Sequence, residues 1–294
     1  MAEIRKLKKQ LLKEERRRLR NSSPVRRRLR RLFIGLLLLL PLLGVVYLTQ
    51  LDSLFAYRFE RANELLKAGQ YQAAAKAFQA LQQDLPTQAD APHALYLAGE
   101  IRHLYLQQEQ EALLAYLLLA RDYPDSPEAL DAELRAADIY KNHLRDYNQA
   151  LSLLQKVADS DPPHPDQVQY EIADAYFRLN NFEQARIEFE SLVNTFPDSA
   201  LLPEVQYRIG MALVFEKKLP EAAHSLERVA ELWPGHRYAI EARFHLAGVL
   251  EEQEHLQRAL VILRELRGVY PQPEILAERT RQVEERIRKK KKAI

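Results

Sequence analysis

Six times along the 294-residue chain an alanine is followed four residues later by a bulky apolar residue and twelve residues later by a proline. The sets are Ala74/Phe78/Pro86, Ala112/Tyr116/Pro124, Ala150/Leu154/Pro162, Ala185/Phe189/Pro197, Ala222/Leu226/Pro234 and Ala259/Leu263/Pro271. Successive prolines lie 38, 38, 35, 37 and 37 residues apart, so the six sets run in phase. The pattern predicts a helical hairpin repeated six times. The alanine lets two helices approach closely, and the bulky residue one turn on fills the space between them. The proline ends the second helix, because the residue before it avoids the αR region. A lone hairpin leaves an apolar face bare, so the hairpins must stack on one another.

Glycine is scarce, at 8 residues, which suits a helical chain. There is no cysteine, which removes disulfides, thiolate nucleophiles, Cys-based metal sites and lipid attachment through a thiol. The net charge of +2 conceals a partition. Residues 1–31 hold 14 Lys/Arg against 3 Asp/Glu, a net of +11, and residues 279–294 hold 8 against 2, a net of +6. The body between carries −15. A basic head and tail therefore flank an acidic body.

Residues 32–51 read LFIGLLLLLPLLGVVYLTQL, 20 residues without a charge. A helix of that length spans about 30 Å, the thickness of a bilayer core. Pro41 falls inside the run, a position that a transmembrane helix tolerates. Arg26, Arg27, Arg28, Arg30 and Arg31 abut its start, while the far side begins with Asp52. The positive-inside bias then places residues 1–31 in the cytoplasm and the repeats across the inner membrane, in the periplasm. The alternative is a cleaved signal peptide. The basic lead is long for one, and Leu54-Phe55-Ala56 offers no small residue where cleavage wants it. The expected division is a basic cytoplasmic segment at 1–31, a transmembrane helix at 32–51, repeats at 52–271 and a capping helix with a basic tail at 272–294. The proline-dense loop 161–166 is a candidate divide within the repeats.

The repeat pattern resembles the tetratricopeptide repeat. The fourth unit carries it most fully, with Ile172 and Ala173 in the first helix, Tyr176 one turn on, Phe182 in the turn, then Ala185, Phe189 and Pro197. Gly69 and Tyr71 give the first unit a Gly-x-Tyr turn, and the second and third units hold one extra residue between their helices. The resemblance spans roughly 55–271. It implies an all-α chain, a right-handed superhelical solenoid of about six hairpins, working as an interaction scaffold and not as an enzyme. Tyr123-Pro-Asp-Ser126 and Phe196-Pro-Asp-Ser199, with Tyr96-Leu-Ala-Gly99 and Tyr207-Arg-Ile-Gly210, are similar to bacterial envelope repeat proteins. These are of the outer-membrane-assembly lipoprotein and Tol–Pal coordinator kind. The absence of a lipid-bearing cysteine sets this chain apart from the lipoproteins.

No G-x-x-x-x-G-K-S/T, G-x-G-x-x-G, H-E-x-x-H or G-x-S-x-G motif occurs. The eight histidines read as scattered and show no metal triad. No catalytic, cofactor or metal residue is expected. One constellation stands out instead. In the repeat family the first helix of each pair lines the concave face. Three residues before the small residue of each first helix stand Phe59, Tyr96, Leu134, Tyr170, Tyr207 and Phe244, five of six aromatic. Just after the small residue, the middle units carry Glu100, Asp138 and Asp174. This register predicts a ladder of rings beside an acidic strip, suited to an extended or helical peptide that carries Lys or Arg. The alternative is that the rings pack on neighbouring repeats.

Ile4, Leu7, Leu11 and Leu12 recur at helical spacing among the N-terminal cations, which suits anionic lipid headgroups beside a membrane helix. Nucleic acid is not expected as a partner. The leading reading is a membrane-anchored scaffold for envelope proteins. A peptide- or cargo-binding adaptor of a secretion or pilus system is the second. A cytoplasmic nucleic-acid-associated protein is a reading of another class, and the uncharged run 32–51 argues against it.

Overall fold

The computed structural model describes the backbone of residues 2–22 and 24–292. It also describes their side chains, apart from residues 2, 19–22, 24–30, 32, 34–44, 46 and 47. Among the described residues every regular element is helical. In chain order these are α1 (Ala2–Ser22), α2 (Pro24–Lys67), α3 (Tyr71–Asp84), α4 (Ala91–Glu100), α5 (Glu109–Asp122), α6 (Ala129–Asp138) and α7 (Tyr147–Ala158). They continue with α8 (Pro165–Arg178), α9 (Phe182–Thr195), α10 (Leu202–Phe215), α11 (Leu219–Leu232), α12 (Arg237–Glu252), α13 (Leu256–Glu265) and α14 (Pro273–Lys292). Consecutive helices pack as sequential pairs, the arrangement of a helical-repeat solenoid.

The chain divides into two compact units, residues 1–94 and 95–294. The divide is not at the loop 161–166. There α7 and α8 share a core through Leu154, Val157, Val168 and Ile172, which carries the stack past the prolines.

The repeat pattern can be read in the packing. Ala74 and Phe78 are buried in the first unit, against the end of α2. In the second unit Ala112, Tyr116, Ala150, Leu154, Ala185, Phe189, Ala222, Leu226, Ala259 and Leu263 are all buried. The second helix of four hairpins stops at a residue that leaves the αR region before proline: Leu85, Tyr123, Phe196 and Trp233, with φ of −131°, −134°, −124° and −132° and ψ of 58°, 55°, 67° and 57°.

The turn inside each hairpin follows one rule. One residue sits in the left-handed region: Gly69, Gln107, Arg145, Asn180, Lys217 and Glu254. At four turns this residue completes a Schellman motif. Gln70, Asn181, Lys218 and His255 donate their N–H groups to carbonyls five residues back, at 2.8–3.0 Å. The other two turns hold the extra residue noted in the sequence, and it lies inside the helix and not in the loop. The ends of α4 and α6 widen into π-helical turns, Ile101–Tyr105 and Ile139–Leu144.

The apolar run 32–51 lies within α2, and most of its side chains are outside the described residues. Among the described residues no helix is long and apolar enough to cross a membrane. On α1, Ile4, Leu7, Leu11 and Leu12 are exposed. At the other end α14 buries Leu276, Thr280 and Val283 and leaves its basic tail in solvent.

Candidate partner-binding face

The ladder positions fall on the first helix of each hairpin, one turn before the small residue. Their rings are not laid open as the sequence suggested. A ring at that register lies at the edge of the buried stripe, so its apolar body packs inward while its polar tip reaches the rim. Tyr96 sets its ring 5.8 Å from Tyr116, and its hydroxyl donates to Asp131 of the next first helix. Tyr170 lies 5.7 Å from Phe189 and donates to Glu204 Oε1 at 2.6 Å, again one repeat on. Tyr207 lies 5.3 Å from Tyr238 and 5.8 Å from His245. Phe244 is buried, stacked 4.4 Å from Tyr270, with the Arg279 guanidinium 4.8 Å over its face. Phe59, in the first unit, meets Phe78 at 5.2 Å and His93 at 5.8 Å.

Burial makes these phenols weak acids. It raises Tyr96 and Tyr170 well above the ordinary tyrosine value, helped by the carboxylates they bond. Tyr207 is pushed up to about 12 by burial and by the nearby Glu241 carboxylate. All three stay protonated at neutral pH, and Tyr96 and Tyr170 serve there as donors that tie one repeat to the next.

The acidic strip divides into three cases. Glu100 is half-buried, with the Tyr96 hydroxyl 3.4 Å away. Asp138 is exposed, its Oδ1 accepting from Asn142 Nδ2 at 2.6 Å. Asp174 is not available to a partner, which corrects the reading of an open strip. It is buried, with Lys141 Nζ of the preceding repeat at 3.1 Å and Arg178 Nε at 2.8 Å. Arg208 stands 3.9 Å away, and Lys141 also binds Glu171. Burial alone would raise the Asp174 carboxyl; the Arg178 hydrogen bond and the Lys141 charge outweigh it and hold the group below the usual carboxylate range.

The third repeat departs from the ladder, and a cleft opens there. Leu134 stands where its neighbours carry rings. Beside it lies a cavity of about 270 Å³ between α6, α8 and the Pro162-Pro163 turn. Its wall combines Leu134, Leu154 and Val168 with the carboxylates Asp131, Asp138 and Glu171 and the cations Arg135 and Lys141. Asp131 is 3.6 Å from Arg135, and Glu171 is bound by Lys141. The cavity lies near the lower limit of ligand-site volumes, about 300 Å³.

A cluster that the sequence did not reveal lies on the π turns. His103 and His143 bring their rings to 5.3 Å and share the Glu109 carboxylate, so the histidines are not all scattered. They are 40 residues apart, close to the repeat length, a spacing that the sequence reading passed over.

Residues 59–127 and 143–202 match family models described as the tetratricopeptide repeat. Over these two stretches the chain is similar to the tetratricopeptide repeat. Among similar solved structures is a tetratricopeptide-repeat protein from Parabacteroides merdae, with a TM-score of 0.53 at 14% identity, covering 78% of this chain and 98% of that one. Another is YrrB, a tetratricopeptide-repeat protein with an unusual peptide-binding site; it gives a TM-score of 0.53 at 18% identity, over 70% of this chain and 99% of its own. At these identities the likeness concerns the fold. Comparison with curated proteins finds no match.

Proposed function

We propose that this protein is a scaffold that captures a peptide segment of a partner protein in the cleft beside Leu134. The observation that carries the reading is the single gap in the ladder. Neighbouring repeats fill the ladder position with Tyr96 and Tyr170, and the third leaves a pocket with an apolar wall whose rim carries three carboxylates against two cations, with Asp138 the carboxylate that, among the described residues, no cation pairs there. An apolar side chain flanked by Lys or Arg fits that pocket. The scaffold is held at a bacterial inner membrane by the uncharged run 32–51. The exposed apolar positions of α1 and its cations lie on anionic headgroups, and the repeats stand on the far side.

The test of the cleft is Leu134→Trp, which restores a ring and fills the pocket. The full chain is screened against a peptide array. Wild type is expected to select apolar peptides carrying Lys or Arg, and the variant to lose them with its melting temperature kept. Equal selection by both overturns the site. Topology is tested by adding protease to cells with a permeabilised outer membrane: residues 52–294 are digested and residues 1–31 spared. Protection of the repeats until the inner membrane is lysed overturns the orientation.

A further inference from the structure

We infer that the two π-helical turns form a binding site for a divalent transition metal of the zinc class, with His103, His143 and Asp138 as its ligands. One donor atom from each of these residues lies within 4.8 Å of the others. Donors on one zinc stand about 3.3 Å apart when each bond is about 2.0 Å. The ligands must therefore close by no more than about 1.5 Å. His143 and Asp138 are exposed, while His103 is held at 13% side-chain exposure as the fixed member.

The supporting groups are already placed. Glu109, the first residue of α5, sits between both imidazoles, with Oε2 2.6 Å from His103 Nδ1 and Oε1 3.3 Å from His143 Nδ1. An ionised carboxylate only accepts, so the short contact at His103 is an Nδ1–H donating to Glu109. A carboxylate on Nδ1 leaves Nε2 as the nitrogen that would meet a metal, the arrangement that carboxylate-supported histidine ligands adopt. Asn142 Nδ2 binds Asp138 Oδ1 at 2.6 Å and leaves Oδ2 to coordinate. Two imidazoles and a carboxylate, with no thiolate in the chain, suit zinc, copper or nickel better than magnesium or calcium.

The geometry explains why the extra residue lies in the helix in these two repeats. His103 and His143 both stand on widened turns, Ile101–Tyr105 and Ile139–Leu144, in successive hairpins. Such turns are frequent at functional sites. The metal would link two repeats along a line that the tyrosine contacts do not cover.

The experiment titrates the full chain, purified in detergent, freed of any affinity tag and stripped with EDTA, with Zn²⁺ alone. One equivalent is expected to bind, and X-ray absorption of the loaded protein to show two imidazole ligands. His143→Ala and His103→Ala are expected to weaken binding at least 100-fold, and Glu109→Gln about 10- to 100-fold. His164→Ala and His224→Ala, at exposed positions elsewhere, leave it unchanged. His143 is exposed, so its variant keeps the wild-type melting temperature and decides the matter if His103→Ala does not fold. Asp138 also borders the cleft, so the histidine variants, which leave the cleft intact, isolate the metal site. Binding that survives in His143→Ala, or the absence of bound zinc in wild type, overturns the site.

Discussion

The backbone of Gly99 lies against the ring of Tyr116: a methyl group on its Cα would stand 2.7 Å from Cε1 and 3.0 Å from Cζ. Gly210 repeats the relationship with Leu226, whose Cδ2 would lie 2.7 Å away. Both neighbours are fully buried side chains of the second helix and have nowhere to move. Gly99→Ala and Gly210→Ala are expected to destabilise by about 1–3 kcal/mol each through overpacking. At Gly248 the neighbour is the flexible end of Arg279, so Gly248→Ala is expected to stay within about 0.5 kcal/mol of wild type. Thermal melts of the three variants decide it. A Gly248 variant less stable than the Gly99 variant would contradict this packing.

Asp174 and Lys141 form a buried pair between repeats, and removing one leaves the other with fewer partners. Asp174→Ala leaves Lys141 buried with Glu171 as its remaining partner, at an expected cost of about 1.5–3 kcal/mol, below that of an uncompensated buried charge. The pH dependence has a definite sign. The folded carboxyl lies below its unfolded value near pH 4, so its contribution is present above that pH and is lost as pH falls through the folded value. In melts from pH 7 down to pH 2, the acid decline of Asp174→Asn is expected to be shallower than that of wild type. Parallel declines would rule out Asp174 as the source.

Ala185 lies fully buried where α9 meets its neighbours. Ala185→Glu buries an unpaired charge and is expected to cost at least about 3 kcal/mol. Stability in a stacked repeat is a nearest-neighbour sum, so the damage should start locally. Hydrogen exchange is expected to quicken first in α8 and α9 while α12 and α13 keep their protection. Uniform loss along the chain would mean that the repeats unfold as one block.

Val283 is buried on α14, while Lys291 is exposed. Val283→Asp is expected to detach the terminal helix at a cost of about 3 kcal/mol and to quicken exchange in α13. Lys291→Ala is expected to change stability by less than about 0.5 kcal/mol. Equal effects would show that α14 does not cap the stack.

The phase of the repeat was legible because alanine and proline act locally. Ala112, Ala185 and Ala222 are buried where the twelve-residue spacing puts them. The ladder register was legible too, but not its direction. Tyr170 stands at the boundary of core and solvent, and only the place of Phe189 and Glu204 decides that its ring turns inward. Asp174 looked like an open charge because its partner Lys141 comes from the previous repeat, 33 residues earlier. The 38-residue spacings announced an extra residue. Whether it lengthens a loop or widens a helix depends on backbone hydrogen bonds such as Leu106 N–H to Ile101 at 3.2 Å, which composition does not encode.

The left-handed residue of each hairpin turn has a practical consequence. Gln107, Arg145, Asn180, Lys217 and Glu254 are exposed, recur once per repeat and already hold L side chains at positive φ. Exchanging one for another L residue adds no new backbone strain there. The chain contains no thiol, so a cysteine at any of these turns would be its only one. The five turns are thus a ready set of single-label attachment points. Pairs of them, carrying fluorophores or spin labels, would measure repeat by repeat how far the stack stretches when it grips a partner.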